Sequence, residues 1–363
     1  MKKVISFPNL GDYYVPIKNF LIKTTKCEVM SPKKSTKKTL DLGNKHAPDF
    51  VCLPFKYTLG NFIESLDAGA NVLIQAGGGC RYGYYAEVQE QILRDLEYDF
   101  TYINLANKGG FSLTKFYKEL KKLNPKLNIF KYCYYLLVTI ITVMYMDKFD
   151  NFMRKNISYE KNKGTLFKIK NKFLKDIDDN FSILKIRRLC KININKIKSS
   201  IDKNKKQTLK IGIVGELFSL MEHSSSYNIE EFLLSKNIEV RRYTDLTCLL
   251  ITKRFQMRKL LKKSKKFAKF FQGADATPNI SHSIDMAKEG FDGIIHMKPM
   301  SCSPEINAVP ILQKVSEKYD IPILFLTFDS QYAKGAIDTR IEAFLDMLLM
   351  RKDMLVKWKI NII

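Results

Sequence analysis

The stretch "NVLIQAGGGCRYGYY", Asn71 to Tyr85, decides how the chain reads. An apolar run meets three consecutive glycines, then Cys80, Arg81 and the tyrosines Tyr82, Tyr84 and Tyr85. A buried strand that empties into a glycine loop, with helical "AEVQEQILRDLE" behind it, is one strand–loop–helix step of a parallel sheet. The same alternation extends to both sides. "KKVISFP", "CEVMSP" and "DFTYINL" read as strands, "YYVPIKNFLIKT" and "TLGNFIESLDAG" as helices, and "DFVCLP" as a short apolar run. Strand and helix taking turns at short spacing predicts a sheet covered on both faces.

From about Phe111 to Ser200 strand signals fade and helical periods dominate. Alternation returns at "LKIGIVGE" and continues through strands "IEVRRYT", "FDGIIHM" and "IPILFLTFD", with helices between them and a closing helix "TRIEAFLDMLLMRK". The expected fold is therefore α/β: two doubly wound parallel-sheet domains facing a cleft, with a helical insertion between them. The expected boundaries are 1–110 for the first α/β domain, 111–208 for the insertion or cap, and 209–363 for the second α/β domain.

The length of 363 residues and a hydrophobic content of 45% allow a sizeable core and argue against disorder. The N-terminal apolar run is too short for a secretory signal, and seven cysteines in such a chain do not read as a disulfide framework. A reducing, cytoplasmic setting is expected, where clustered cysteines mean metal or catalysis. The run Tyr132–Met146 is nearly all apolar, but it is shorter than the ~20 residues of a membrane span, so a buried helix is expected and no membrane partner. The formal net charge of +24 invites a nucleic-acid reading. Much of that charge lies in helical stretches that interleave lysine with isoleucine, leucine and phenylalanine, so it falls on solvated faces and nucleic acid is not expected as a partner.

In open parallel sheets ligands bind beyond the carboxyl ends of the strands. By that rule Cys52, ending "DFVCLP", Cys80, after the glycines, and Cys302, in "KPMSCSPE" after "FDGIIHM", fall on the functional rim. Cys27, Cys133, Cys190 and Cys248 are expected to be packing residues. Three thiolates from distant loops would suit zinc or an iron–sulfur cluster and leave one metal position open, which marks chemistry rather than scaffolding. The plain alternative is that Cys52 and Cys80 are ordinary buried thiols. Lys56, Arg81 and Lys298 each lie within four residues of a candidate ligand, a setting that favours a negatively charged cluster. "AGGGCRYG" lacks the lysine and hydroxyl of a phosphate loop, and no histidine is placed to activate Cys80 as a nucleophile.

These motifs resemble a known family. "APDFVCLPFKYTLGNFIESLDAGANVLIQAGGGCRYGYYAEVQEQIL", with Cys52, Pro54, Lys56 and Gly60 spaced ahead of "CRYGYY", is similar to the first domain of the 2-hydroxyacyl-CoA dehydratase D-component family and its stand-alone CoA protein activase relatives. "VGELFSLMEHSSSYNIEEFLLSKNIEV" and "GIIHMKPMSCSPEINAVPILQKVSEKYDIPILFLTFDSQYAKGAIDTRIEAFLDML" resemble its second domain. "NISYEKNKG", with Tyr159 and Glu160, resembles a degraded Arg-Pro-Tyr-Glu segment. The resemblance implies an anaerobic iron–sulfur protein, its 4Fe-4S cluster held by Cys52, Cys80 and Cys302. It also implies an ATP-dependent activase of the ASKHA ATPase type as electron donor, and association as a homo- or heterodimer. In the dehydratases the electron reduces a CoA thioester to a ketyl radical. A second reading is an electron relay or activation partner with no substrate of its own.

Some residues carry bland readings beside functional ones. Glu216 and His223 follow the first strand of the second unit; Glu216 is the candidate catalytic residue, for orienting a substrate or moving a proton, against a helix-capping role. Ser224, Ser225 and Ser226 are expected to cap a helix. Tyr82, Tyr84 and Tyr85 would wall a cluster from water or simply pack. Asp329 is expected on the rim, and Asp338 at a helix start.

Overall fold

The computed structural model describes residues 2–76, 84–107, 110–205, 208–330 and 334–360. The chain forms two compact units, one of Met1–Asp147 with Lys170–Asn193, the other of Lys148–Ile169 with Ile194–Ile363. The helical stretch is thus distributed between the units.

The first unit runs β1 (Val4–Ser6), α1 (Tyr14–Thr25), β2 (Glu28–Val29), α2 (Lys37–His46), α3 (Leu53–Asp67), β3 (Val72–Gln75), α4 (Tyr85–Asp95) and β4 (Thr101–Asn104). A short antiparallel pair follows, β5 (Ala106–Asn107) and β6 (Gly110–Phe111), then α5 (Leu113–Leu123) and α6 (Ile129–Asn156), of which the part up to Asp147 belongs to this unit and the rest to the second. From Lys170 onward helix α7 (Thr165–Asp178) and the first part of α8 (Ile183–Ser199) return to this unit. Its main sheet is parallel, in the order β2-β1-β3-β4. Val72 and Ile74 face one core with Ile5, Phe20 and Ile103, while Leu73 faces another with Phe55, Leu59, Phe62 and Leu93. A strand buried on both sides must be apolar at successive positions, which is why "VLI" does not alternate.

Helices α2 and α3 meet through main chain. A Cβ on Gly43 would sit 1.7 Å from the carbonyl oxygen of Lys56, and one on Gly60 would sit 1.9 Å from that of Thr39. The two contacts lie four residues apart on each helix and run in opposite directions, so the pair is antiparallel. Only glycine permits this approach. Helix α2 lacks a strong apolar stripe and starts on a reciprocal cap, Thr36 Oγ1 accepting from Thr39 N while Thr39 Oγ1 accepts from Thr36 N.

Helix α6 departs from expectation. It is one continuous helix rather than a short buried run, and Ile129–Tyr159 is long and apolar enough to cross a membrane by length and composition alone. Only 28% of its most apolar window is buried. Tyr132, Val138, Val143 and Met146 are buried, whereas Phe130, Tyr134, Leu137 and Met144 are exposed at helical spacing. Cys133 is exposed too, not packed as expected. The segment is apolar around its whole circumference, so its sequence does not mark which face is covered. Within this unit Tyr13 donates to the buried Asp147, Lys18 pairs with Asp178, and Lys170 pairs with Asp12.

The second unit runs β7 (Lys210–Gly215), α9 (Leu217–Met221), α10 (Ile229–Ser235), β8 (Glu239–Arg242), α11 (Lys253–Ser264), α12 (Ala276–Lys288), β9 (Gly293–Pro299), α13 (Ser303–Tyr319), β10 (Ile323–Phe328) and α14 (Lys334–Ile360). Its sheet is again parallel, in the order β10-β9-β7-β8. Both sheets therefore place their first and third strands side by side and reverse direction of winding there. Glu230, buried on α10, is gripped by Arg154 at 2.6 Å and Arg242 at 3.2 Å. Burial alone would raise its pKa, but the two guanidiniums, with His223, hold it well below the carboxylate range. Glu160, from "SYEKNKG", accepts from Gly164 N and Leu166 N and so caps the start of the next helix.

The glycine contact gives a direct test. Gly60→Ala forces a methyl into a carbonyl oxygen and is expected to destabilise the protein by about 1–3 kcal/mol. Gly335→Ala, where a Cβ meets nothing within 4 Å, is expected to be neutral or slightly stabilising. Urea unfolding of both variants checks this.

Candidate functional site

The second unit assembles a rim at the carboxyl ends of β7 and β9, its central neighbours. Gly215 ends β7, and a Cβ there would lie 2.0 Å from the carbonyl oxygen of Met297. The missing side chain lets the two strands close, and Glu216 N donates to that same oxygen at 3.0 Å. Glu216 is thereby fixed beside the end of β9. Its Oε1 accepts from Phe218 N at 2.9 Å, and its Oε2 accepts from Ser219 N and Ser219 Oγ, both at 2.9 Å. It is the N-cap of α9. Burial pushes its pKa up to about 7, against those three hydrogen bonds and with help from Asp275.

Beyond β9 the chain turns, Cys302 N donating to Pro299 O, and α13 begins with Pro304 in its first turn. Cys302 is its N-cap and is half-buried. A helix start is where partial positive charge favours a thiolate, and proline is tolerated there because its missing N–H has no partner to lose. Lys298 lies just upstream; burial pushes its pKa down, countered by the charges of Cys302 and Glu305.

Beneath this rim lies a buried polar network. Glu305, on the first turn of α13, pairs with His296 Nε2 at 2.8 Å and accepts from Asn279 Nδ2 at 3.0 and 3.1 Å. Asn279 Nδ2 also reaches Gly215 O at 2.9 Å. These residues tie α12, α13, β7 and β9 together directly under Cys302 and Glu216. Buried polar groups bonded to one another in this way favour one arrangement of a core, although Asn279 Oδ1 and His296 Nδ1 have no partner among the described residues. Glu305, Asn279 and His296 were not among the sequence candidates. The one available signal is the spacing Cys302-x-x-Glu305, which resembles a capping box; Glu305 turns inward instead.

The first unit carries a related arrangement at the corresponding edge. Cys52 is not at a strand end: it is the N-cap of α3, with Pro54 in the first turn. The apolar run "VCLPF" belongs to a helix start, and because α3 precedes a parallel strand, its N-terminus still lies at the carboxyl edge of the sheet. Cys52 Sγ is half-buried and 2.8 Å from Tyr85 Oη. Tyr85 packs edge-on against Phe55 at 4.8 Å between ring centroids. Lys56 is buried and donates to Asn44 Oδ1 on α2 at 2.7 Å. Gln75, the last residue of β3, donates to Gln89 Oε1, and Gln89 Nε2 donates to Thr58 Oγ1 and Phe55 O. The end of β3 is thus tied to α3 and α4. Cys80, Arg81 and Tyr82 lie outside the described residues.

Among the described residues no group of three or more His, Cys, Asp or Glu is placed to hold a metal, and Cys80 is not among those residues. The two described candidate thiols share one setting: unbridged, half-buried, and N-cap to a Pro-containing first turn. That setting fits thiolate ligation. Other readings change. Tyr84 is exposed. Ser224 to Ser226 form a 3-10 turn with Glu222 accepting from Ser225 N, and α10 starts at Asn228 without a side-chain cap. Helix α14 already runs from Lys334, so Asp338 is inside it. Asp329 follows β10, where Oδ1 accepts from Ser330 N and its carbonyl accepts from Tyr227 Oη.

The family model described as 2-hydroxyglutaryl-CoA dehydratase, D-component, matches residues 186–348, from within α8 to within α14. It includes Glu216 and Cys302, and it bears out at family level the resemblance drawn for the motifs of the second domain; Cys52, Cys80 and Glu160 lie outside it. No curated protein matches the chain.

Glu216 sets a pH signature. An unfolded chain loses this proton near 4.5, the folded one near 7, so the folded state binds more protons between those values. Stability is expected to fall as pH rises from about 4.5 to about 7, by up to about 3 kcal/mol from this group, and to level off above. Urea midpoints at pH 5 and pH 8 should differ less in Glu216→Gln than in the wild type.

Proposed function

We propose, on the premise that residues 186–348 match the D-component of 2-hydroxyglutaryl-CoA dehydratase, that this chain is an iron–sulfur redox component of that type. In this reading Cys52, Cys80 and Cys302 are the thiolate ligands of a 4Fe-4S cluster, and an ATP-hydrolysing activase is the electron donor. The bound cluster would supply a low-potential electron and an open iron position acting as a Lewis acid toward a small CoA-thioester substrate. The observation that carries the reading is that Cys302 starts the helix that follows β9 and Glu216 follows β7, with its N–H on Met297 O of β9, so both residues come after the strand pair where open α/β sheets bind ligands, inside the matched segment.

The chain's own residues have separable tasks. The starts of α3 and α13 favour thiolates at Cys52 and Cys302 through the positive end of each helix dipole. Glu305, held by His296 and Asn279, positions the first turn of α13 and through it Cys302. Lys298 offsets negative charge at that sulfur. Tyr85 covers Cys52 on one side with its hydroxyl toward the sulfur, which limits water at that ligand. In this reading Glu216, which holds a proton near neutral pH, gives it to the departing oxygen when a hydroxyl leaves the substrate as water.

Purification without oxygen is expected to give a brown protein with about four irons per chain, reduced in Cys52→Ala, Cys80→Ala and Cys302→Ala alike. A colourless protein carrying stoichiometric zinc would overturn the reading. With iron bound, turnover of 2-hydroxyacyl-CoA in the presence of an activase and ATP is expected to drop at least tenfold in Glu216→Gln with iron content unchanged.

A further inference from the structure

The second unit holds a cavity away from the cysteine rim. Its volume is about 530 Å³, and it lies between the C-terminal turns of α6, the edge strand β8, α11 and α12. The size suits a small organic ligand. Its charge is strongly one-sided. Arg241 is paired with Glu289, Arg242 with Glu230 and Lys263 with Asp285. Lys148, Lys155 and Lys259 have no such partner among the described residues. The one other lining carboxylate, Asp245, accepts from Cys248 N and Asn151 Nδ2. Three unpartnered ammonium groups around one concavity with low-dielectric walls focus a positive potential into it.

A second observation is independent of the charge. His282, on α12, lines the cavity and is 8% exposed. Both its ring nitrogens are buried and without a hydrogen-bond partner among the described residues. Tyr243 stacks on it in parallel, with ring centroids 4.6 Å apart, and so holds the ring orientation without satisfying it. Burial pushes its pKa down to about 4, so at neutral pH it is an uncharged imidazole with one donor and one acceptor unused. Buried polar groups in folded proteins are paired, and an orphaned one points to a missing partner.

We propose that this cavity is a binding site for a small organic phosphate. Its phosphoryl oxygens take the ammonium groups of Lys148, Lys155 and Lys259. A phosphomonoester brings near −2 charge and three strong acceptor oxygens, which matches three free cations better than a carboxylate does. Its organic body occupies the rest of the cavity against Phe152 and Leu260 and offers a polar group to His282. Asn279, which braces Glu305 under the cysteine rim, lies three residues before His282 on the same helix, so occupancy of the cavity bears on a helix that also shapes that rim. The proposal does not depend on the iron–sulfur reading.

Calorimetric titration of the full chain at low salt tests it, with adenosine 5′-monophosphate, ribose 5-phosphate and inorganic phosphate as probes. The two phosphomonoesters are expected to bind, more tightly than inorganic phosphate, and to weaken more than tenfold when salt is raised to about 0.5 M. Lys155→Met with Lys259→Met should weaken them more than tenfold. His282→Phe keeps the stack on Tyr243 but removes both nitrogens. It should lose affinity at least fivefold while the free protein stays as stable as the wild type or becomes more so. Absence of binding, binding of inorganic phosphate alone, indifference to the lysine substitutions, or a destabilised His282→Phe protein would each overturn the proposal.

Discussion

Parallel pairing is the constraint on which the rest of this structure depends. When every strand of a sheet points one way, every connecting helix must return the other way, and its first turn lands on the edge where the strands end. Strand ends and helix starts then share one rim. The first puts a carboxylate such as Glu216 there; the second puts a sulfur such as Cys302 or Cys52 there. Both units obey this, and in both the winding reverses between the first and third strands, leaving the rim open at that point.

The two units reach the arrangement with similar local means. Cys52-Leu53-Pro54 and Cys302-Ser303-Pro304 each begin a helix with a cysteine cap and an early proline. Each sulfur is then backed by a different support. Under Cys302 it is a buried acid–imidazole–amide cluster drawn from three elements. Beside Cys52 it is the Tyr85 hydroxyl and the amide ladder from Gln75 through Gln89 to the first turn of α3. A capping position leaves a side chain free to face outward while its backbone is held, which suits a ligating atom.

Much of the fold was legible in the sequence. The strands are short and apolar at successive positions, because a sheet covered on both faces leaves no polar side to alternate with. Cys302 and Glu216 do follow strands, as the sequence pattern indicated. Cys52 was put on the right rim for the wrong reason: "DFVCLP" is too short to separate a strand end from a helix start, although Pro54 is a helix-start signal. Helix α2 was invisible, since it is lysine-rich and held by glycine contacts and a threonine cap instead of an apolar stripe. Helix α6 was misjudged because a segment apolar on all sides carries no record of which side is covered. The network of Glu305, Asn279 and His296 joins residues whose proximity exists only after β9, α12 and α13 have packed.

The main-chain seating of α2 on α3 reaches further than its few atoms suggest. Helices that touch through side chains can slide past one another by exchanging rotamers, whereas a carbonyl lodged against an α-carbon leaves no such slack. The axial position of α3 is therefore dictated by Thr39 and Gly43. The sulfur at its head inherits its stillness from a lysine-rich segment that has no chemistry of its own.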